Sequence, residues 1–399
     1  MRGSLWEMRE LPTNVVRTGI RRPGPKRGRL CLLALAVALL HSAEAKVVEA
    51  QAGATQSGLA QSGQAGAGET PQEQEARSPQ AKISNGLLQV TFDLPDKERG
   101  YYRGTRFDWS GVIADLTFAG HHYYGPWYVR TDPSLRDYVF TPEGVVTGLA
   151  SSITGPVEEF LRDDGSALGY AQAKPGGTFV KIGVGALRRP DGEKYSPYRI
   201  YDIVDGGRWK VQVRRDAVTF TQRLVDKGSG YGYLYTKTVR LVAGQPKMVM
   251  EHTLTNLGRL AISTQVFDHN FEVLDGQPIG TDFTVTLPFP AFATKAYHTE
   301  FGGIDGNRLY YTKQPGDNES FTVHIGGFRN TAADNDIRVE NQRLGAGVRI
   351  TGDHPLLSEE VWSIRSVIGA EPYLQLDAAP GETIHWSYTY VYYTLPAKK

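Results

Sequence analysis

The chain has 399 residues, of which 40% are hydrophobic and 11% aromatic, with 44 Lys and Arg against 43 Asp and Glu and a net charge of +1. This composition excludes a mostly disordered chain, and apolar runs are too short for an ordinary membrane span. The first 45 residues hold eight basic and three acidic side chains, which leaves 36 and 40 in the rest. A mildly acidic body argues against nucleic acid or an anionic membrane as the main partner.

The N-terminus has the order of a secretory signal. Basic residues between Arg17 and Arg29 precede the apolar stretch 30–40, and Ala43-Glu-Ala45 is a small-x-small cleavage site. This order predicts a signal peptide over residues 1–45 and an exported protein, periplasmic or extracellular. A short buried helix is the alternative interpretation.

Cysteine usage narrows the chemistry. Cys31 is the only cysteine and lies inside the predicted signal. The mature chain therefore has no disulfide, no thiolate nucleophile and no cysteine-based zinc site. H-E-x-x-H and phosphate-binding motifs are also missing from the sequence. We predict no metal ion and no cofactor.

Residues 46–81 are rich in Ala, Gly, Gln, Ser and Glu. Such a composition offers little apolar surface to offset the entropy of ordering. We predict a flexible low-complexity linker over 46–81 and a single folded domain over 82–399.

Within that domain the hydrophobic pattern alternates with a period of two. Val, Thr, Tyr and Phe dominate these runs, and Gly, Pro, Asp and Asn separate them. Clear examples are Leu88–Phe92, Val218–Gln222, Phe321–Ile325 and Ile384–Tyr393. The pattern predicts an all-β fold, a large antiparallel sandwich or barrel. The single helix candidate is a short segment near Glu158–Arg162.

A cluster between residues 100 and 128 combines glycines and aromatic rings with Arg106, His121, His122 and Trp127. Flat apolar rings and a forked guanidinium are the groups that recognise a sugar's C–H faces and hydroxyls. The cluster therefore predicts a saccharide site. A glycine-rich turn whose aromatics fill the core is the alternative.

Three further carboxylates and one histidine stand out. Glu158 and Glu159 are neighbours, so on a strand they face opposite ways and at most one points into a site. Glu159 is the one we assign to substrate binding. His269 lies at a strand end beside polar neighbours, where it can serve as a general acid or base. Glu371 interrupts an apolar run, and a buried carboxylate is costly unless it is paired or used.

These residues resemble the pattern of the aldose 1-epimerase, or galactose mutarotase-like, superfamily. In that pattern an Asn ends one strand, and a His followed by an aromatic ends another, as Asn256, His269 and Phe271 do here. A late Glu then precedes a Pro-Gly turn and a final aromatic strand, as Glu371 and Trp386–Tyr393 do here. The resemblance covers about residues 82–396.

The N-terminal half is similar in outline. Ile83–Leu87 resembles the opening strand, and Arg106 and the His121-His122 pair lie where sugar-binding Arg and His are found. The resemblance implies a β-supersandwich with a sugar-binding groove. It also implies acid–base ring opening, with Glu371 taking the anomeric proton and His269 protonating the ring oxygen.

The leading hypothesis is an exported aldose 1-epimerase-like isomerase acting on a mono- or oligosaccharide. A non-catalytic carbohydrate-binding protein, or a polysaccharide lyase or hydrolase on the same scaffold, are the alternatives. We expect Arg106, His121 or His122, Glu159, His269 and Glu371 to converge on one pocket. The sequence names neither the sugar nor the oligomeric state.

Overall fold

The computed structural model describes residues 68–396. The predicted signal peptide over 1–45 lies outside the described residues. Within residues 68–396, no helix combines the length and apolar character that crossing a membrane requires.

Among the described residues nearly all the regular structure is β-strand, with one short α-helix and two single-turn 3₁₀ segments. Helix α1 spans Pro71–Arg77, and the 3₁₀ turns span Leu274–Gly276 and Ala332–Asp334. The first strands are β1 Gln80–Ser84, β2 Leu88–Asp93, β3 Val112–Phe118, β4 His121–His122, β5 Arg130–Thr131, β6 Tyr138–Thr141, β7 Gly144–Thr147, β8 Gly155–Leu161 and β9 Thr178–Lys181. The next are β10 Gly185–Arg188, β11 Ile203–Asp205, β12 Arg208–Val213, β13 Ala217–Val225, β14 Gly232–Leu241, β15 Lys247–Asn256, β16 Ile262–Glu272, β17 Phe283–Thr286 and β18 Phe292–Ala293. The last are β19 Gly302–Asp305, β20 Arg308–Tyr311, β21 Phe321–Gly326, β22 Asp336–Asn341, β23 Ala346–Gly352, β24 Ser358–Ile364, β25 Val367–Ala378 and β26 Thr383–Thr394.

Two large sheets carry the fold. The ten-stranded sheet has the order β12-β13-β14-β15-β26-β23-β22-β17-β20-β19, and the six-stranded sheet has the order β18-β21-β24-β25-β16-β8. Three smaller sheets, β1-β2-β3-β4, β11-β10-β9 and β5-β7-β6, complete it. All pairings are antiparallel except that of β5 with β7. The predicted all-β, antiparallel architecture is confirmed. The helix expected near Glu158 is instead strand β8, because that segment pairs with β16 along its length.

Alternation along the strands places the main core between the two large sheets. In β14, Tyr233, Tyr235 and Val239 are buried, whereas Thr236 and Thr238 face outward. The opposing sheet contributes residues such as Val361 and Leu374 to the same core. Each fully buried side chain of this kind contributes about 1.5–3 kcal/mol, so the sandwich is held chiefly by this layer.

A second apolar cluster covers the other face of the six-stranded sheet. The segment between residues 100 and 205 supplies Phe107, Trp127 and Phe179, and the sheet supplies Phe267 and Phe271. The outer face of this sheet is therefore enclosed by aromatic side chains instead of open to water. This enclosed face holds the candidate site.

Ordered structure begins before the predicted domain boundary at residue 82. Helix α1 starts with a capping box between Thr70 and Glu73, and its Gln74 side chain is buried. Gln74 accepts a hydrogen bond from the Tyr128 hydroxyl at 2.9 Å. The linker prediction is therefore wrong for residues 68–81, because a few specific contacts order a segment whose composition is polar.

Candidate functional site

Four ionisable residues form one row across the outer face of the six-stranded sheet. The ladder pairs His324 with Glu360, and Glu360 with Glu371. The pairs Phe267–Tyr373 and Asn270–Ala370 have one common register, which places Glu371 opposite His269 between them. Directly opposed residues on neighbouring strands share a face. The register thus builds a row of His324, Glu360, Glu371 and His269.

The row runs from the surface into the protein. His324 Nδ1 lies 2.8 Å from Glu360 Oε2, and these side chains are 31% and 21% exposed. His269 Nε2 lies 3.2 Å from Glu371 Oε1, and these side chains are 6% and 8% exposed. The structure thus brings His269 and Glu371 into contact, while the catalytic roles expected of them stay a prediction.

Aromatic neighbours fix the imidazole of His269. Its ring stacks on Phe271 with centroids 3.7 Å apart, and it meets the edges of Phe107 at 5.9 Å and Trp362 at 5.6 Å. Gly369 leaves the space that the ring fills, because a Cβ at that position would lie 2.7 Å from His269 Cε1. The Nδ1 atom has no hydrogen-bond partner among residues 68–396. Packing, and not hydrogen bonding, holds this ring in place.

Arg106 and Glu159 form the cationic side of the site. Arg106 Nε donates to Glu159 Oε2 at 2.7 Å, and Lys181 Nζ donates to Glu159 Oε1 at 3.2 Å. The Arg106 guanidinium also lies 4.4 Å from the Phe107 ring centroid and 4.7 Å from that of Tyr198. Glu159 thus orients the Arg106 guanidinium, whereas the substrate-binding roles expected of the two residues stay a prediction.

Burial sets the protonation of the central pair. Desolvation, with a smaller contribution from Arg106, holds the pKa of His269 well below its usual range. Desolvation, reinforced by the charge of Glu360, raises the pKa of Glu371 well above its usual range. Both shifts favour the uncharged forms, a neutral imidazole on His269 and a protonated carboxyl group on Glu371.

Half-buried aromatic side chains form the rim. They are Tyr138, Tyr198, Trp362 and Tyr373. Trp362 meets the His269 ring, Tyr198 lies 4.7 Å from the Arg106 guanidinium, and the Tyr373 hydroxyl donates to Glu371 Oε2 at 3.3 Å. Rings with polar tips beside a guanidinium and carboxyl groups suit a ligand that has both C–H faces and hydroxyls.

Trp127 belongs to the layer beneath this rim. Its ring is 4% exposed and stacks on Phe271 with centroids 5.6 Å apart. Its indole N–H donates to the Ile153 carbonyl at 2.9 Å. Trp127 therefore supports the His269–Phe271 stack, and its expected role in substrate binding stays a prediction.

His121 and His122 do not join the row. His121 Nδ1 lies 2.7 Å from Asp275 Oδ2, and His122 Nδ1 lies 2.8 Å from Asp115 Oδ1. Both histidines follow a tight turn at Ala119, whose φ is 52°, and pair back along β3. The expected convergence of all the predicted residues therefore fails for these two, because the hairpin directs them to other carboxylates.

The two adjacent glutamates do face opposite ways. Glu158 points between the two large sheets, where its carboxylate contacts Lys237 Nζ and lies 2.6 Å from His252 Nε2. Lys237 in turn lies 3.6 Å from Asp108. All four side chains are fully buried. This inner network is separate from Glu159 and the row.

Several residues of this site were not predicted from the sequence. Strand register brings His324 and Glu360 to the site, and Lys181 reaches Glu159 from a separate sheet, so residues far apart in the chain meet here. The alternating run Phe321–Ile325 contained the signal for His324, since its His occupies an outward position of a strand. Within residues 68–396, no group of three or more His, Cys, Asp or Glu side chains is arranged to hold a metal ion.

No family model matches the chain, and no curated protein matches it either. Among solved structures, the Slr1438 protein from Synechocystis sp. PCC 6803 is similar, with 11% identity over 80% of this chain and 96% of that one and a TM-score of 0.46. A galactose mutarotase-like protein from Lactobacillus casei has 13% identity over 79% and 100%, with a TM-score of 0.44. A putative aldose 1-epimerase from Escherichia coli K12 has 12% identity over 79% and 99%, with a TM-score of 0.43.

Proposed function

We propose that this protein is an aldose 1-epimerase-like isomerase that opens and recloses a sugar hemiacetal. The observation that carries the proposal is the contact of His269 with Glu371, at 3.2 Å on neighbouring strands, beside Arg106 and an aromatic rim. An acid and a base held together with opposite pKa shifts are the groups that ring opening needs.

Ring opening exchanges protons at two oxygens, the anomeric hydroxyl and the ring oxygen. Both oxygens are bonded to the same carbon, so a contacting acid and base can reach them together. One group takes the hydroxyl proton while the other protonates the ring oxygen, and the C–O ring bond breaks to leave an aldehyde and a hydroxyl. Rotation about the adjacent C–C bond and the reverse transfers give the other anomer and restore both groups.

The direction of transfer follows from the pKa shifts. Because the pKa of Glu371 is raised and that of His269 is lowered, the resting proton lies on Glu371. In our proposal Glu371 protonates the ring oxygen and His269 Nε2 accepts the hydroxyl proton. These roles are the reverse of those that the family resemblance implies.

Arg106 and the rim aromatics would hold the saccharide. The guanidinium offers forked donors to hydroxyls, and Tyr198 and Trp362 offer faces for C–H contacts. We also propose that the chain is exported after cleavage behind Ala45. Mass spectrometry of the protein from a secreting host should then give a mature chain that begins at Lys46.

Anomer exchange measured by NMR on a panel of aldoses tests the proposed reaction. The protein should accelerate exchange above the buffer rate, and Glu371→Gln and His269→Gln should each abolish the acceleration. His298→Gln is a matched control, because that histidine is 69% exposed and its imidazole pairs with Glu300 instead of with a residue of the proposed site. Exchange that survives both active-pair variants would rule the mechanism out.

A binding function without turnover is the second candidate. It is favoured by the burial of His269, whose side chain is 6% exposed and whose Nε2 already faces Glu371. In that case sugars would shift protein resonances while anomer exchange stayed at the buffer rate. Binding would then depend on Arg106 and survive His269→Gln.

A further inference from the structure

The outer face of the ten-stranded sheet has a polar cleft that the proposed isomerase does not use. The cleft has a volume of about 600 Å³ and is lined by Asp282, Thr284, Thr286, Arg308, Arg338, Glu340 and their neighbours. These residues come mainly from β17, β20 and β22, three adjacent strands near one end of the sheet. The proposed acid–base pair lies on the other large sheet.

Two guanidinium groups in this cleft have no carboxylate partner. Thr286 pairs with Arg308 on one side and with Arg338 on the other, so the two arginines are about 10 Å apart across the sheet. Among residues 68–396, neither side chain makes an ion pair or a hydrogen bond. Asp305 is the ladder partner of Arg308 on the far side, and no ion pair joins them.

The nearby acidic groups are already engaged. Asp282 binds Arg343 at 2.8 Å. Glu340 accepts hydrogen bonds from the Tyr393 hydroxyl at 2.8 Å and from Gln342 at 3.0 Å. The cleft therefore holds two arginines without a carboxylate partner, and the carboxylates that line it already accept hydrogen bonds from other residues.

Arg338 has a second arginine as a direct neighbour on the next strand, which destabilises this part of the sheet. Arg338 stands opposite Arg349 in the ladder, and Arg349 is held by Asp336 at 2.6 Å and 2.8 Å. Like charges directly opposite each other destabilise a sheet. A bound anion between Arg308 and Arg338 would relieve this repulsion.

Two neutral features point to a ligand with hydroxyl groups as well as charge. Thr284 is 5% exposed and lines the cleft, yet its Oγ1 has no hydrogen-bond partner in the described part of the chain. Tyr310 is the ladder partner of Thr284 on the same face and is 38% exposed. A free hydroxyl beside an exposed aromatic ring is a surface on which a sugar can stack and hydrogen-bond.

We propose that this cleft is a second binding site, for an anionic saccharide whose carboxylate or phosphate group lies between Arg308 and Arg338. The sugar ring lies toward Thr284 and Tyr310. The site binds without reacting, and it is independent of the site around His269 and Glu371.

Isothermal titration with glucuronate, glucose 6-phosphate and glucose tests the site. The two anionic sugars should bind, and glucose should bind at least about tenfold more weakly. The anionic sugar with the higher affinity identifies the acidic group, carboxylate or phosphate, that the site prefers. The Arg308→Gln/Arg338→Gln double variant should lose about tenfold or more in affinity for the anionic sugars. Affinity for glucose equal to that for the anions would overturn the proposal.

The matched control is Arg208→Gln/Arg223→Gln. These two arginines are also exposed ladder partners on the outer face of the same sheet, at its opposite edge. The control removes the same amount of positive charge. An equal loss of affinity in both double variants would show that net charge, and not a specific site, attracts the anionic sugars, and it would refute the proposal. Binding should also survive Glu371→Gln, which separates this site from the proposed isomerase site.

Thr284→Val gives a further test that a folding defect cannot imitate. Valine has nearly the shape of threonine, and removing a buried hydroxyl that lacks a partner should raise the melting temperature of the free protein. The same variant should bind the anionic sugar severalfold more weakly. Unchanged affinity in this variant would exclude Thr284 and the cleft from binding.

Discussion

Gly369 determines where the His269 ring can lie. A Cβ added at this position would stand 2.7 Å from His269 Cε1 and 3.0 Å from Nδ1. We expect Gly369→Ala to displace the ring and lower anomer exchange on the order of 100-fold, because small misplacements of a reacting group are costly. NMR exchange rates check this, with a thermal melt to show that the variant folds.

Gly192→Ala is the control for that substitution, since nothing lies within 4 Å of the added Cβ. It should keep the exchange rate of the unaltered protein. A normal rate in Gly369→Ala as well would mean that the ring position does not matter to the reaction.

Asp93 gives a pH-dependent prediction at the same scale. Its side chain is buried, and desolvation raises its pKa from 3.8 to about 6, although Gln80 donates a hydrogen bond to it at 3.1 Å. The folded state therefore holds this proton more tightly than the unfolded chain. Stability is lost as pH rises from about 4 through 6, so Asp93→Asn should raise the free energy of unfolding at pH 7 by about 1–3 kcal/mol.

Urea unfolding at pH 7 and at pH 4 measures this difference. At pH 4 the native carboxyl group is mostly protonated, and most of the advantage of asparagine should disappear. An equal gain at both pH values would show that ionisation of Asp93 is not the cause.

Single residues could be picked from the sequence where their chemistry conflicts with their surroundings. Glu371 was identified in this way because it interrupts an apolar run. His269 was identified by its polar neighbours at a strand end, and the two side chains meet at 3.2 Å. Glu360, joined through strand register, and Lys181, which reaches in from another sheet, could not be identified, because one sequence does not state which strands pair or which sheets meet. His121 and His122 were grouped with the site because they lie in the same aromatic, glycine-rich stretch of sequence as Arg106. In the structure they pair with Asp275 and Asp115 instead.

At the scale of elements, helix α1 shows how a polar segment becomes ordered. Arg77 pairs with Glu69 at 2.8 Å, Gln74 is buried against Tyr128, and β1 pairs with β2 along five residues. Composition predicted a linker here, since few apolar residues are present. The ordering instead comes from a capping box, one buried amide and a strand ladder, which composition does not reveal.

Truncation tests this account of the N-terminal segment. A chain that begins at Lys82, the boundary expected from the sequence, loses α1 and the first part of β1. Its melting temperature should fall by about 5 °C or more relative to a chain that begins at Gly68. Equal melting temperatures would mean that the helix contributes nothing to stability, and Gln74→Ala in the longer chain should reproduce part of the loss.

The strands were more predictable than their arrangement. Phe321–Ile325 and Ile384–Tyr393 alternate clearly and lie within β21 and β26. Their neighbours in the sheets, β24 for the first and β15 and β23 for the second, follow from pairings across long stretches of chain. Alternation fixes which side chains face inward, whereas sheet order depends on contacts that only the folded chain makes.

At the scale of the whole molecule, the inner network links the two large sheets to the segment that carries Arg106. Lys237 on the ten-stranded sheet contacts Glu158 on the six-stranded sheet, and Asp108 of the covering segment lies 3.6 Å from the same ammonium group. Burial alone would raise the pKa of Glu158, but Lys237 and His252 lower it to about 2. The carboxylate thus depends on its buried cations.

Removing Lys237 should therefore be severe. Lys237→Met leaves Glu158 charged and without its main partner, and we expect a loss of about 3–5 kcal/mol in the free energy of unfolding. The Lys237→Met/Glu158→Gln double variant removes the uncompensated charge, and it should recover a large part of this loss. Urea unfolding of both variants measures the difference, and additive losses would show that the two groups do not act as a pair.

The same pair of variants links the interior to the site. Glu158 is followed directly by Glu159, which binds Arg106, and Asp108 lies two residues after Arg106. A network that only stabilises the sandwich should leave sugar affinity normal in the double variant once the protein is folded. If the network also positions Arg106, the affinity for sugar should stay low in the double variant even though its stability is restored. We expect the second outcome, because Arg106 receives its orientation from Glu159, and the Glu158 and Asp108 contacts fix the backbone on both sides of that ion pair.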